Sequence, residues 1–159
     1  MQNLYDQSIS DRFHHLLEVM KSKRFLQMEG LNNEIPFFIF PYKPQEHNEI
    51  ESMCKQLINK LASEGVTVLN INLYDLTIEL LQERGVWDQI LQEESEFTKS
   101  ELKEDLQGML NPERYVIPAI AEKMAKTHFD ILFLTGVGEV YPYIRSHTIL
   151  NNLQSTAKT

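Results

Sequence analysis

Ile35-Pro36-Phe37-Phe38-Ile39-Phe40, then Ile50-Glu51-Ser52-Met53-Cys54-Lys55-Gln56-Leu57-Ile58-Asn59-Lys60-Leu61, then Gly65-Val66-Thr67-Val68-Leu69-Asn70-Ile71: the reading of this stretch decides the fold. The first run is apolar on both faces, which suits a strand covered by helices on both sides. Pro36 fits near the start of such a strand. In the middle run Ile50, Met53, Cys54, Leu57, Ile58 and Leu61 fall at i, i+3, i+4, i+7, i+8 and i+11, one stripe of a helix. Gly65 stops that helix, and Val66 to Ile71 has strand composition. Strand, helix and strand form a βαβ unit, which predicts parallel pairing through a right-handed crossover.

Outward from this unit, Ser8 or Ser10 is the expected cap of a first helix that buries Phe13, Leu16, Leu17 and Met20, and Ser8 with Asp11 three residues on resembles a capping box. Residues 73 to 129 read as a helical excursion. Asp75 is the expected cap of its first helix and Gly85 the stop. Thr98 with Glu101 opens another helix as a capping box, Asn111-Pro112 starts a third, and Pro118 forces a kink or restart. Phe129 to Leu134 is a further strand, followed by a glycine turn and a final helix from about Tyr143 to Leu153. The expected fold is a single α/β domain over residues 1–159. It is three-layered and Rossmann-like, with a predominantly parallel sheet of at least three strands, Phe37 to Phe40, Val66 to Ile71 and Ile131 to Leu134, flanked by helices. On a helical wheel Val140 and Ile144, with His147 beside them, fall on the side of the last helix away from Tyr143, Ile149, Leu150 and Leu153. That side is a candidate face for a partner, a second copy or a further segment of chain, with cover by the helical excursion as the structural alternative.

Composition bounds the function. A chain of 159 residues buries roughly 70% of its unfolded surface and needs no disulfide or metal to hold a core. A single cysteine, Cys54, leaves no disulfide framework and no cysteine-based zinc site, which fits a reducing compartment. Its place on an apolar helix face makes it a packed thiol before it is a nucleophile. The opening residues have no basic segment followed by an apolar run, so no signal peptide is expected. The apolar runs are too short to span a membrane. Net charge is −8, with 23 acidic and 15 basic side chains, and no stretch is basic enough for autonomous nucleic-acid binding. The five histidines show no metal-ligand spacing; neither a metal nor a cofactor is expected.

In open parallel sheets ligands bind beyond the carboxyl ends of the strands. Those ends present Tyr42 and Lys43, then Asn72, Tyr74 and Asp75, then Thr135, Gly136, Gly138 and Tyr141, with Ile144, Arg145 and His147 just beyond. A glycine turn between strand and helix can offer N–H groups to a phosphate. Here the third glycine of the dinucleotide pattern is Tyr141, and no Gly-Lys-Ser/Thr exists. Close packing of strand on helix is the structural alternative for the same glycines. Arg145 suits a carboxylate or phosphate, and His147 a proton transfer; a salt bridge and a surface histidine are their structural alternatives.

Ile35-Pro36-Phe37-Phe38-Ile39-Phe40-Pro41-Tyr42, Asn72-Leu73-Tyr74-Asp75-Leu76 and, above all, Phe133-Leu134-Thr135-Gly136-Val137-Gly138-Glu139-Val140-Tyr141-Pro142-Tyr143-Ile144-Arg145-Ser146-His147-Thr148-Ile149-Leu150-Asn151-Asn152-Leu153 together resemble the BrxB family, the small component of bacteriophage exclusion (BREX) defence systems. The resemblance implies a bacterial, cytoplasmic protein within a multi-protein anti-phage system. Its companions include the alkaline-phosphatase-like PglZ, a DNA adenine methyltransferase, a large ATPase and a Lon-like protease. It brings no catalytic residues. It implies a non-enzymatic assembly or regulatory subunit docking onto another BREX component, PglZ first among them; the second face of the last helix leaves a second copy of the chain as a further candidate partner. The alternative is a nucleotide- or phosphate-binding protein using the glycine turn. Members of the family continue past Asn151-Asn152-Leu153 into another apolar strand, so this chain is expected to be a truncated or short member.

Lacking the phosphate-binding lysine, the chain should bind ATP no more tightly than about 1 mM, roughly 4 kcal/mol. Titration calorimetry checks this, and a micromolar dissociation constant would contradict it.

Overall fold

The computed structural model describes residues 7–27 and 38–156. The chain divides into two compact bodies, residues 1–68 with 129–131, and residues 69–128 with 132–159.

In the first body, α1 (Ile9–Lys21) starts where Ser8 Oγ accepts the Asp11 N–H at 3.1 Å. It buries Phe13, Leu16, Leu17 and Met20, the stripe its spacing predicts. A short α2 (Lys23–Leu26) follows, started by Ser22. After a 3₁₀ turn at Pro44–Glu46, α3 (His47–Ser63) packs on α1 and contributes Ile50, Leu57 and Leu61 to the core. Gly65 takes a φ of 82° just past its end, where a side chain would be strained. Lys21 Nζ meets Glu64 at 3.0 Å. The Asp130 N–H donates to Thr67 O at 2.8 Å, and the Thr67 N–H donates to the Asp130 carboxylate at 2.8 Å.

The sheet corrects the expected fold class. Among the described residues it has two strands, β1 (Val68–Asn72) and β2 (Ile131–Thr135), paired in parallel. The architecture is predominantly helical and not a three-layer Rossmann-like sheet. The expected first strand is where the two part. Phe37 lies outside the described residues. Phe38, Ile39 and Phe40 are in no ladder, and Phe38 and Ile39 are 44% and 70% exposed, which a strand covered on both faces would not be. Phe40 acts instead as an aromatic anchor. The Phe40 ring lies 4.9 Å from that of Phe13 and 4.3 Å from the guanidinium of the buried Arg12, which also donates to Pro41 O. Stacking and a cation over a ring hold this segment to α1 in place of strand pairing.

In the second body four helices connect β1 to β2: α4 (Leu73–Glu83), α5 (Trp87–Glu93), α6 (Lys99–Met109) and α7 (Ile117–Lys126). Thr98 and Glu101 form the reciprocal capping box that their spacing predicts. Accepting the Thr98 N–H first and its hydroxyl second holds the Glu101 carboxyl below its ordinary range. Asn111 caps a single π-helical turn, Pro112–Val116, and α7 restarts with Pro118 in its first turn. Arg84 stacks 4.0 Å from the Tyr115 ring and donates to Met109 O, so one side chain ties α4 to the end of α6. Ile71, Leu73, Leu76, Leu81, Leu110, Val116, Ile117 and Ile120 form the core with residues after β2.

The last helix, α8, runs from Ser146 to Thr156, not from Tyr143. Residues 136–145 form turns instead, and this shift rotates the expected faces. Val140 and Ile144 are 2% and 1% exposed and belong to the same core as Ile149 and Leu153. The candidate partner face on Val140 and Ile144 is therefore interior, whereas His147 is exposed. Ile144→Asp should consequently unfold the second body, because a carboxylate there has no water and no partner. The expected cost is about 3 kcal/mol or more, read as loss of the thermal transition by circular dichroism. A variant that melts like the parent would show that Ile144 is not core.

Candidate functional site

Parallel pairing puts the carboxyl ends of β1 and β2 side by side, and the side chains there bond to one another. Thr135 Oγ1 donates to Asn70 Oδ1 at 3.2 Å. Asn72, the last residue of β1, turns its Oδ1 onto the N–H groups of Tyr74 at 2.9 Å and Asp75 at 3.2 Å, and so caps α4. Gly136, the first residue after β2, takes a φ of 69°. A Cβ on it would lie 2.5 Å from Asn72 Oδ1, 3.1 Å from Asn72 Cγ and 3.2 Å from the Tyr74 nitrogen. Two separate constraints thus require glycine: the left-handed backbone, and the close approach of the Asn72 amide.

From Gly136 the chain turns out and back. The Glu139 N–H donates to Gly136 O at 3.2 Å, and the Ile144 N–H to Val140 O at 3.0 Å. The turn is held at its base by the buried Val140 and Ile144, and from α6 by Gln107 Nε2, which donates to Pro142 O at 3.1 Å. Arg145 O accepts from the N–H groups of Thr148 and Ile149 and opens α8. On this frame Gly138, Tyr141, Arg145 and His147 are exposed, Tyr141 by 66%. Tyr74, beside Gly136, is 46% exposed.

Of the residues expected at the site, Asp75, Thr135 and Gly136 meet at one corner through Asn70 and Asn72. Gly138, Tyr141, Arg145 and His147 lie on the turn that leaves that corner and at the start of α8. Ile144 supports the turn from inside. Tyr42 belongs to the first body, with its hydroxyl 3.4 Å from His47 Nδ1. The expected cap of α4 was Asp75; Asn72 holds that role, and the Asp75 side chain is exposed.

A groove of about 450 Å³ adjoins the corner, lined by Leu69 to Asn72 of β1, by Asp75, Leu76 and Glu79 of α4, and by Lys123, Lys126 and Thr127 at the end of α7. Lys123 pairs with Glu79 at 3.3 Å, and Lys126 pairs with Glu122. The lysines and Glu79 escaped the sequence analysis because they come together only when α4 and α7 do. Asn72 carried a local signal, an amide directly before an apolar helical run.

The chemistry of the corner is mostly inward. The first donors of α4, which would serve a phosphate, are engaged by Asn72. Among the described residues no group of three or more histidine, cysteine or carboxylate side chains is arranged to hold a metal ion. Burial, with Glu51 adding to it, pushes the Cys54 thiol up, away from the thiolate a nucleophile needs. No helix among the described residues is long and apolar enough to cross a membrane.

Three comparisons with known proteins bear on this site. Residues 69–159, which carry both strand ends, the groove and the turn, match the model of a family described as BREX protein BrxB. A BREX protein BrxB from Escherichia coli O9:H4 (strain HS) is 29% identical over 151 residues, covering 95% of this chain and 74% of the relative. A second, from Bacillus cereus (strain H3081.97), is 32% identical over 150 residues, covering 91% of this chain and 77% of the relative. No solved structure gives a significant match. By the family model and by both relatives, the chain belongs to the BrxB family.

Proposed function

We propose that this protein is a non-enzymatic assembly subunit of a bacterial BREX anti-phage system, working in the cytoplasm by docking onto another BREX component, PglZ first among them. The observation that carries the reading is the family match over residues 69–159 together with relatives that are themselves BREX proteins. The geometry of the strand-end corner supports docking over catalysis. Asn70, Asn72 and Thr135 are bonded within the chain, and what the corner offers outward is Tyr74 in the first turn of α4, Tyr141 and Arg145 on a braced turn, and His147 at the start of α8. Tyrosine and arginine on a rigid frame are the side chains that most often dominate the energetics of protein interfaces.

The test is co-expression with PglZ and affinity purification, followed by titration of the purified pair. Tyr141→Ala should weaken the association about tenfold or more, 1.4 kcal/mol on the usual scale for an interface tyrosine. It should leave the melting temperature unchanged, because the ring is largely in solvent. Failure of PglZ to co-purify with the parent chain would refute docking onto PglZ. Undiminished affinity of the variant would remove Tyr141 from the interface.

A further inference from the structure

We propose that Arg84 and Arg114, gathered at the ring of Tyr115, form an anion-binding edge of the docking surface that receives an acidic side chain of a BREX partner protein. This rests on the reading above, since the carboxylate belongs to the same partner.

The placement begins with local chemistry. Asn111 Oδ1 accepts the Arg114 N–H at 3.0 Å, and the Asn111 carbonyl accepts the Tyr115 N–H at 2.9 Å. Pro112 opens the π-helical turn with its φ already fixed. The backbone of Arg114 and Tyr115 is therefore held before any partner arrives. Arg84, just past the end of α4, reaches across to the same turn. It donates to Met109 O and, at 3.3 Å, to the Tyr115 hydroxyl. Its guanidinium carbon lies 4.0 Å from the centre of the Tyr115 ring, and that of Arg114 lies 5.4 Å from it.

Two positive charges at one ring repel each other, and among the described residues no carboxylate answers them. The ion pairs there are made by Lys21, Lys123 and Lys126. Glu83 and Glu113 adjoin the arginines in sequence and pair with neither, as neighbouring positions of a helix do not face each other. Arg84 uses two of the five donors of a guanidinium, and the Arg114 side chain meets only the ring. Both arginines are exposed. The donors left over are of the kind that grips a carboxylate bidentately.

Three observations select a partner's carboxylate as the occupant. Neither arginine lines the groove, so a free anion would be held on an open turn in full competition with water. A net charge of −8 opposes the dense phosphates of a nucleic acid far more than a single acidic side chain. The pair is also continuous with the surface already proposed. Met109, which accepts from Arg84, and Gln107, which holds Pro142 O beside Tyr141, belong to the same last turn of α6.

The experiment compares the parent chain, Arg114→Ala and Arg114→Glu, each co-expressed with the other BREX proteins and purified. Affinity is measured for the component that the parent retains, at low and at high sodium chloride. Arg114→Ala should bind about tenfold more weakly at low salt, on the scale of an interface arginine, and should keep the parent's melting temperature. Arg114→Glu should bind more weakly still, because a carboxylate then meets a carboxylate. The parent should lose affinity with salt more steeply than Arg114→Ala. Should Arg114→Ala fail to fold, the salt response of the parent decides. Retention of no BREX component by the parent overturns this site and the reading it rests on together. Parental affinity in Arg114→Ala, equal binding by the alanine and glutamate variants, or a parental affinity indifferent to salt overturns the arginine site alone.

Discussion

The Asn72 side chain against Gly136 is the contact on which the strand-end corner depends. One amide oxygen accepts the first N–H groups of α4, and it can sit there because the next strand leaves the sheet through a residue without a side chain. The cap ties the end of β1 to the start of α4, and the glycine ties the end of β2 to both. The carboxyl ends of the two strands, the first turn of α4 and the turn after β2 therefore share one geometry. Thr135 bonded to Asn70 extends the same link one residue back along the sheet. The exposed tyrosines and the braced turn proposed for docking lie on or beside this corner, as does the groove along β1.

Much of the local structure was legible because its causes are local. Ser8 before α1, the Thr98–Glu101 box and the glycine after α3 act within four residues of themselves, and all take the roles their spacing predicts. The two apolar runs that became β1 and β2 were legible for the same reason, though β1 begins at Val68, two residues late. Ile35 to Phe40 looked no different from them. A short apolar run states that it must be covered, not by what. Its cover over Phe40 is a cation and a ring from α1, contacts between residues about thirty positions apart that no periodicity reports.

The candidate site divides in the same way. Strand ends as the place to look, and Gly136 with Thr135 as its centre, followed from the parallel order of strand and helix. The side-chain roles did not. Asp75 resembled a cap, and Asn72 three residues earlier outcompeted it because its oxygen reaches two N–H groups at once. Ile144 resembled an interface residue only on the assumption that the helix had already begun at Tyr143. Once Pro142 and the turn delay it to Ser146, Ile144 rotates into the core. The groove depends on α4 meeting α7 across more than forty residues, which places it beyond any reading of neighbouring positions.

The most direct test of the corner is a double-mutant cycle on thermal or urea unfolding of the full chain, with Asn72→Ala, Gly136→Ala and the pair. Loss of the cap alone should cost about 1 kcal/mol. Gly136→Ala should cost about 1–3 kcal/mol for a side chain in the left-handed region, plus whatever it displaces. If alanine at 136 acts partly by pushing the Asn72 amide off α4, that part is already lost in Asn72→Ala. The pair should then cost less than the sum of the singles by about 0.5 kcal/mol or more, the range found for residues in contact. Strict additivity would show that the glycine and the cap act independently, and would contradict the shared corner.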